Sequence, residues 1–238
     1  MNQLNQMIEQ YQKNQKKLFV MRMEQQNFQT AVPEDVVSIL KEEGLAALSL
    51  VCNDSLKDCL KLAAQITDKE MPVVLEAAFH KILRYGLAEF ARDAASAQIS
   101  GIRVPDLPFE EQGQLAVHLL DEEGPCLIRE ITPASGDRIV QNMQFARGFI
   151  WCSKEGNVDF LSALDGDPYV FYLYAVEAAA TRPVLLDFGS RCLGELENYL
   201  DFADGAIVGT DLMAVFSKEG YSSSTLKEYC GRFTGAKC

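Results

Sequence analysis

The sequence predicts an α/β fold: eight parallel strands closed into a single (β/α)8 TIM barrel over residues 1–238, with an extra helix ahead of the first strand. Three observations lead there. Short apolar runs alternate with longer amphipathic stretches, and an alternating strand–helix order builds a parallel sheet. The 238-residue length suits one barrel-sized domain. No linker-like Gly/Ser/Pro segment divides the chain; "YSSSTL" at 221–226 is the nearest, and Ser224 or Thr225 there would serve equally well as a helix cap.

Taken in order, a helix over roughly Gln3–Lys13 precedes the first strand and could plug the bottom of the barrel. Strands are expected at Leu18–Met23, Ala46–Val51, Val73–Ala77, Gly101–Val104, Pro125–Glu130, Gly148–Cys152, Val184–Phe188 and Gly205–Gly209. The clearest helix follows the third strand. In "HKILRYGLAEFARDAASA", Ile82, Leu83, Leu87, Phe90, Ala91 and Ala94 share one face while Arg84, Glu89 and Arg92 fall elsewhere. The aromatics of "YVFYLYAVEAAA" at 169–180 recur at helical spacing and read as the packed face of the helix before the seventh strand, or a partner surface if exposed.

Composition narrows the function. A formal net charge of −12 repels nucleic-acid backbones and anionic lipid surfaces, though a small phosphorylated ligand could still be held locally by backbone amides. No apolar run approaches the ~20 residues of a membrane span, and the N-terminus lacks the apolar segment of a signal peptide, so a cytoplasmic location is expected. The seven cysteines form no CxxC pair and no metal-ligand spacing. They point to free thiols in a reducing compartment and to no metal site.

In such a barrel the chemistry sits on the loops that follow the strands. That rule gathers Glu24, Cys52-Asn53, Glu76, Asp106, Arg129-Glu130, Ser153-Lys154, Asp187-Phe188-Gly189 and Gly209-Thr210 around one rim. Asp106 lies in Pro105-Asp106-Leu107-Pro108. The flanking prolines hold its carboxylate on a stiff turn, which either presents a site residue or simply stops a strand.

The stretch "PVVLEAAFHKILRYGLAEFARDAASAQISGIRVPDLPFEE" resembles the strand 3 to strand 4 region of the tryptophan synthase α subunit family, in which a V-P-D-L-P-x-E-E turn follows a Pro-led strand. "ITPASGDRI", "ARGFIWC", "RPVLLDFGS" and "ADGAIVGTDLM" resemble that family's strand 5 exit and strands 6, 7 and 8, so the likeness spans roughly Pro72 to Val215. The resemblance implies a barrel that cleaves indole-3-glycerol phosphate to indole and glyceraldehyde 3-phosphate. It implies no cofactor in the barrel itself, and a β subunit using pyridoxal phosphate that receives the indole. Asp106 would sit near substrate and the β-subunit contact.

This retro-aldol needs one group to protonate the indole ring carbon and another to take the proton from its nitrogen. The family supplies a Glu on strand 2 and an Asp on the loop after it. Aligned to strand 2, "GLAALSLVCNDSLKDCLKLAAQI" puts Ser49 where the glutamate stands, and Asn53-Asp54-Ser55 leads at once into a helix that Asp54 is expected to cap. Ser49 cannot donate a proton near neutrality and reads as a small residue in a repacked strand.

The phosphate cradle implied by the resemblance is Gly156, Gly189, Ser190, Gly209 and Thr210. Asp159, Asp187 and Asp211 add charge that opposes a dianion, which Lys154, Arg129 or Arg191 could offset.

Glu24 and Glu76 are charges where the resembling family has none. A carboxylate inside "VVLEAA" must face the barrel axis, where it needs a partner. One reading is a buried Glu76–Arg22 or Glu76–Arg129 ion pair filling a barrel that no longer holds substrate. The other is a remade acid/base pair, Glu76 with Asp106 or Glu24, joined by His80 and acting as a lyase or isomerase on another phosphorylated metabolite. His118 reads as helix surface, Trp151-Cys152 as core, and Cys126 and Cys152 lack a base to make them nucleophiles. Three functions remain in play: an α-subunit-like lyase by descent, impaired or inactive, serving as a binding or regulatory partner of a β-type subunit; the re-purposed enzyme; and a non-catalytic interaction barrel.

Overall fold

The computed structural model describes residues 2–67, 70–119, 124–133, 135, 139–143, 146–153, 168–187, 189 and 198–234. Eight strands appear in the expected places: β1 Leu18–Glu24, β2 Ala47–Val51, β3 Val73–Glu76, β4 Gly101–Arg103, β5 Cys126–Ile131, β6 Ile150–Ser153, β7 Val184–Asp187 and β8 Gly205–Val208. Each pairs in parallel with the next, and β8 closes on β1. Among the described residues no helix is long and apolar enough to cross a membrane.

Alternation along each strand divides its side chains between two cores. Outward residues such as Met21, Leu48, Leu75 and Ile102 join the large core beneath the helices. Inward ones such as Val20, Val74, Ile128, Phe149 and Leu185 fill the barrel interior. Helix α1, Gln3–Lys13, contributes Leu4 and Ile8 to that interior and plugs its bottom. Asn2 caps α1 by accepting from the amide of Asn5, and its own amide group donates to the Ser100 and Gly124 carbonyls at 2.7 and 2.9 Å. One side chain thus starts the helix and pins it below β4 and β5.

Gly205 shows how tightly the barrel is drawn. It stands opposite Leu18 at the closing seam, and a Cβ there would lie 1.9 Å from the Leu18 carbonyl oxygen. That atom is backbone and cannot swing away. Gly205→Ala is therefore expected to cost ~2–3 kcal/mol or more by overpacking. Urea unfolding of the variant checks this, and a midpoint equal to wild type would mean the seam has slack.

The remaining described helices are α2 Pro33–Glu42, α3 Leu56–Thr67, α4 Phe79–Tyr85, α5 Leu87–Ser96, α6 Gln112–His118, α7 Ile139–Asn142, α8 Pro168–Ala179, α9 Thr210–Glu219 and α10 Ser223–Thr234. Several expectations change in detail. The stretch after β3 is two helices rather than one, because Gly86 adopts φ +99°, a left-handed value that interrupts the α-helix. Leu83 consequently leaves the packed face and is 50 % exposed. Helix α3 begins at Leu56, and Ser55 rather than Asp54 serves its first turn, its Oγ accepting from the Asp58 amide at 3.3 Å. At α10 it is Ser222 that caps, accepting from the Thr225 amide at 3.4 Å. Tyr169, Tyr172, Leu173 and Val176 of α8 are buried, as its spacing predicted, while Tyr174 is exposed.

Candidate active site

The top of the barrel interior is charged. On β3, Glu76 faces the axis and is 2 % exposed, since Val74 two residues earlier already points inward. Arg22 on β1 donates from Nε to its Oε1 at 2.9 Å and from Nη2 to its Oε2 at 3.3 Å. Arg103, its neighbour in register on β4, donates from Nη1 to the same Oε2. Ser49 on β2 donates its hydroxyl to Oε1 at 2.6 Å. Both oxygens of Glu76 are thereby filled by three strands.

The network continues around the barrel. Arg103 donates from Nη2 to Glu130 Oε2 on β5 at 2.6 Å, and its guanidinium lies 4.1 Å over the Trp151 ring on β6. Trp151 donates its indole N–H to Asp187 Oδ2 on β7 at 2.8 Å. Seven of the eight strands, all but β8, therefore contribute to one belt of polar contacts, held over the apolar layers of the barrel interior.

Burial pushes the Glu76 carboxyl up, but the charges of Arg103 and Arg22, with hydrogen bonds from Arg22 and Ser49, outweigh that and hold it below the usual glutamate range. Glu130 goes the other way. Its burial, with Asp187 and Glu76 nearby, outweighs Arg103 and raises it, and its side chain keeps 20 % exposure to the mouth. Among the described residues no group of three His, Cys, Asp or Glu is placed to hold a metal ion.

These opposed shifts set a pH dependence. Glu76, held low, adds stability above the ordinary glutamate value and loses it as pH falls through its folded value. Glu130, held high, contributes fully below the ordinary value and loses that contribution as pH rises through its raised one. The two therefore act on opposite sides of the ordinary glutamate value of ~4.3, Glu76 below it and Glu130 above it. Glu130→Gln removes the second, so as pH rises above that value its melting temperature should hold up better than wild type's; equal slopes would show that Glu130 is not held high.

The other expected site residues lie as follows. The Asp106 carboxylate accepts from the Phe79 amide at 2.7 Å, tying the turn after β4 to the start of α4, and does not bond Glu76. Glu24 sits at the rim, where its carboxylate accepts from Asn53 Nδ2 at 3.0 Å and from Gln26 and belongs to a capping box with Asn27. The Glu76–Arg22 pair is present, but Arg129 is not Glu76's second partner. In "CLIREI" Ile128 and Glu130 face inward, which turns Arg129 to the other side of β5, where burial lowers its pKa to about 10. Arg103 stands in its place. His80 and His118 are exposed helix residues.

Of the phosphate candidates, Gly156 and Ser190 lie outside the described residues, as do Asp159, Lys154 and Arg191. The amide of Gly189 donates to Asp187 Oδ1 at 2.8 Å. That of Gly209 donates to the hydroxyl of Tyr229 on α10 at 3.0 Å, and this hydroxyl donates in turn to Asp211. Thr210 stands 3.5 Å from Arg22 Nη1.

Residues 42–233 match the sequence profile described as "Tryptophan synthase alpha chain". The chain belongs to the tryptophan synthase α family. The chain from Lachnospira eligens is 31 % identical over 163 residues, covering 68 % of this chain and 62 % of that one. That from Citrifermentans bemidjiense is 31 % identical over 190 residues, covering 79 % and 70 %. For the first relative, and for the Halalkalibacterium halodurans chain at 54 %, the match spans less than two thirds of the relative's length. In fold, the chain superposes on tryptophan synthase from M. tuberculosis with a TM-score of 0.80 at 19 % identity and 98 % coverage of both chains. It does so on the α subunit from Legionella pneumophila with a TM-score of 0.78 at 22 % identity, covering 99 % of this chain and 98 % of that one.

Two members of this belt, Arg103 and Glu130, are not singled out by the sequence. Arg103 was unremarked within "GIRV", although Gly101 and Arg103 share a face and β4 neighbours Glu76. Glu130 was named only beside Arg129. Period-two alternation would have separated those two, because adjacent strand residues cannot both face the axis.

Proposed function

We propose that this tryptophan synthase α-like barrel does not cleave indole-3-glycerol phosphate and that it acts as a binding or regulatory partner of a β-type subunit. The observation that carries the first half is the locking of Glu76. A general acid must be protonated near neutrality and reach its substrate. Glu76 is buried, held ionised by two guanidinium groups, and hydrogen-bonded to the Ser49 hydroxyl at the position where the family's strand 2 carries its glutamate. The second half draws its support from family membership.

The phosphate end supports the same reading. The Gly189 and Gly209 amides are already given to Asp187 and Tyr229, and the carboxylates of Asp187 and Asp211 stand beside them. A dianion would have to displace those bonds against repulsion. A ligand at about 100 times its dissociation constant stabilises by ~2.7 kcal/mol. Inorganic phosphate and indole-3-glycerol phosphate are expected to leave the melting temperature unchanged, while gel filtration with a β-type subunit is expected to show one complex. A rise with either phosphate would overturn the ligand half, and separate elution the partner half.

A second reading rests on Glu130. A carboxyl with a raised pKa, oriented by Arg103 and partly open to the mouth, has the properties of an acid/base group for another metabolite. In that reading Glu130, rather than Glu24 or Asp106, carries the chemistry. Stabilisation by a metabolite that is lost in Glu130→Gln would favour it.

A further inference from the structure

The wall of the barrel mouth alternates in charge. From β1 to β5 run Arg22, Glu76, Arg103 and Glu130, each ion-paired to the next. The middle two are buried and spent on their neighbours. The ends are not: Arg22 keeps 24 % of its side-chain surface and Glu130 keeps 20 %.

Each end has bonding capacity left over. A guanidinium carries five N–H donors. On Arg22 two of them go to Glu76, at 2.9 and 3.3 Å, and a third reaches Thr210 Oγ1 at 3.5 Å, which leaves two. Glu130 accepts from Arg103 through Oε2, and among the described residues no hydrogen bond reaches its Oε1.

β1 and β5 stand on opposite sides of the closed barrel. Each end also has a helper. Thr210 opens α9 after β8, the strand that pairs with β1, and sets its hydroxyl beside Arg22. Asp187 on β7 shares the inward parity of Leu185 and stands one strand beyond Trp151 from Glu130. The mouth thus presents a cationic donor end and an anionic acceptor end, with a neutralised pair between them. A dianion there meets the charges of Glu130, Asp187 and Asp211, and a lone cation meets Arg22. A molecule with one charge of each sign, held apart, finds an opposite charge at both ends.

We propose that the barrel mouth binds a short zwitterion of the ω-amino acid class, with its carboxylate on Arg22 and Thr210 and its ammonium on Glu130, Asp187 standing behind. This rests on the reading in which Glu130 meets a metabolite, and it names the class of that metabolite. Binding leaves the row of ion pairs intact, because the ligand takes only the donors and the acceptor that the row leaves over. Its two charges must be several bonds apart, since Glu76 and Arg103 lie between the ends. Burial beside Asp187 and Glu76 outweighs Arg103 and raises the Glu130 pKa, so this carboxylate is short of counter-charge. An ammonium supplies it.

Trp151 is the chain's single tryptophan and lies 4.1 Å beneath the Arg103 guanidinium, so its emission reports on the mouth without an assay of turnover. The full chain is titrated with glycine, β-alanine, γ-aminobutyrate and δ-aminovalerate, and with butyrate and butylamine as single-charge probes, following Trp151 emission and melting temperature. A saturable change and a raised melting temperature are expected with γ-aminobutyrate or δ-aminovalerate. Glycine, butyrate and butylamine reach only one end and should bind at least ~10-fold more weakly, the size of one lost charge-assisted hydrogen bond. Glu130→Gln should weaken the longer zwitterions by at least ~10-fold. The wild-type comparison decides the matter even where the variant fails to fold. No saturation by either longer zwitterion, or equal binding of butyrate or butylamine, would overturn the inference. Glycerol separates it from the reading on which it rests. Glycerol binding that is lost in Glu130→Gln, with no zwitterion bound, would keep Glu130 as a metabolite's partner and overturn the zwitterion; zwitterion binding untouched by Glu130→Gln would overturn both.

Discussion

Given indole-3-glycerol phosphate, with or without a β-type subunit, the protein is expected to release indole at a rate at least ~10^4-fold below that of a family lyase. Each placed proton-transfer group contributes about 10^2 to 10^4 in rate, and the reaction uses two. At the strand 2 position stands Ser49, whose hydroxyl is committed to Glu76 at 2.6 Å. The β2–α3 turn is Asn53-Asp54-Ser55, clamped by Lys81, where the family has a longer loop bearing its aspartate. The measurement is indole release under saturating substrate. Turnover at a family-like rate would mean that some other group moves the protons, and the proposed inactivity would fall.

Replacing Glu76 should cost more stability than any other single change in the barrel interior. Glu76→Gln leaves Arg22 and Arg103 facing each other without their shared anion, and removing one partner from a buried ion cluster costs ~3–5 kcal/mol. For a chain of this length that corresponds to a fall in melting temperature of about 10 °C. The same principle predicts rescue. Glu76→Leu combined with Arg22→Met removes a charge of each sign, leaves Arg103 its bond to Glu130, and should recover a large part of the loss. A Glu76→Gln variant within about 0.5 kcal/mol of wild type would show that the cluster contributes little.

Both expectations rest on the side of each strand that a residue faces, and this separates what could be read early from what could not. Strand positions were legible because eight apolar runs at regular spacing leave little choice of order, and the plug helix Gln3–Lys13 was legible from its amphipathic pattern. The inward charge of Glu76 was legible too, since a carboxylate in "VVLEAA" has only one tolerable direction. Leu83 was misread because a helical face was extended through Gly86, whose backbone conformation depends on the turn it makes. Arg129 was misread because it was weighed as a charge near the rim rather than by its parity along β5.

From its residues alone the chain specifies a closed parallel barrel of the tryptophan synthase α family. Hydrophobic spacing and local motifs are properties of contiguous sequence, so one chain suffices to read them. The identity of Glu76's second cation and the capture of the Gly189 and Gly209 amides followed only from folding. Each depends on how strands are staggered around the barrel and how a helix is rotated against it. Those shifts of one residue reverse which groups touch, and no pattern along the chain records them.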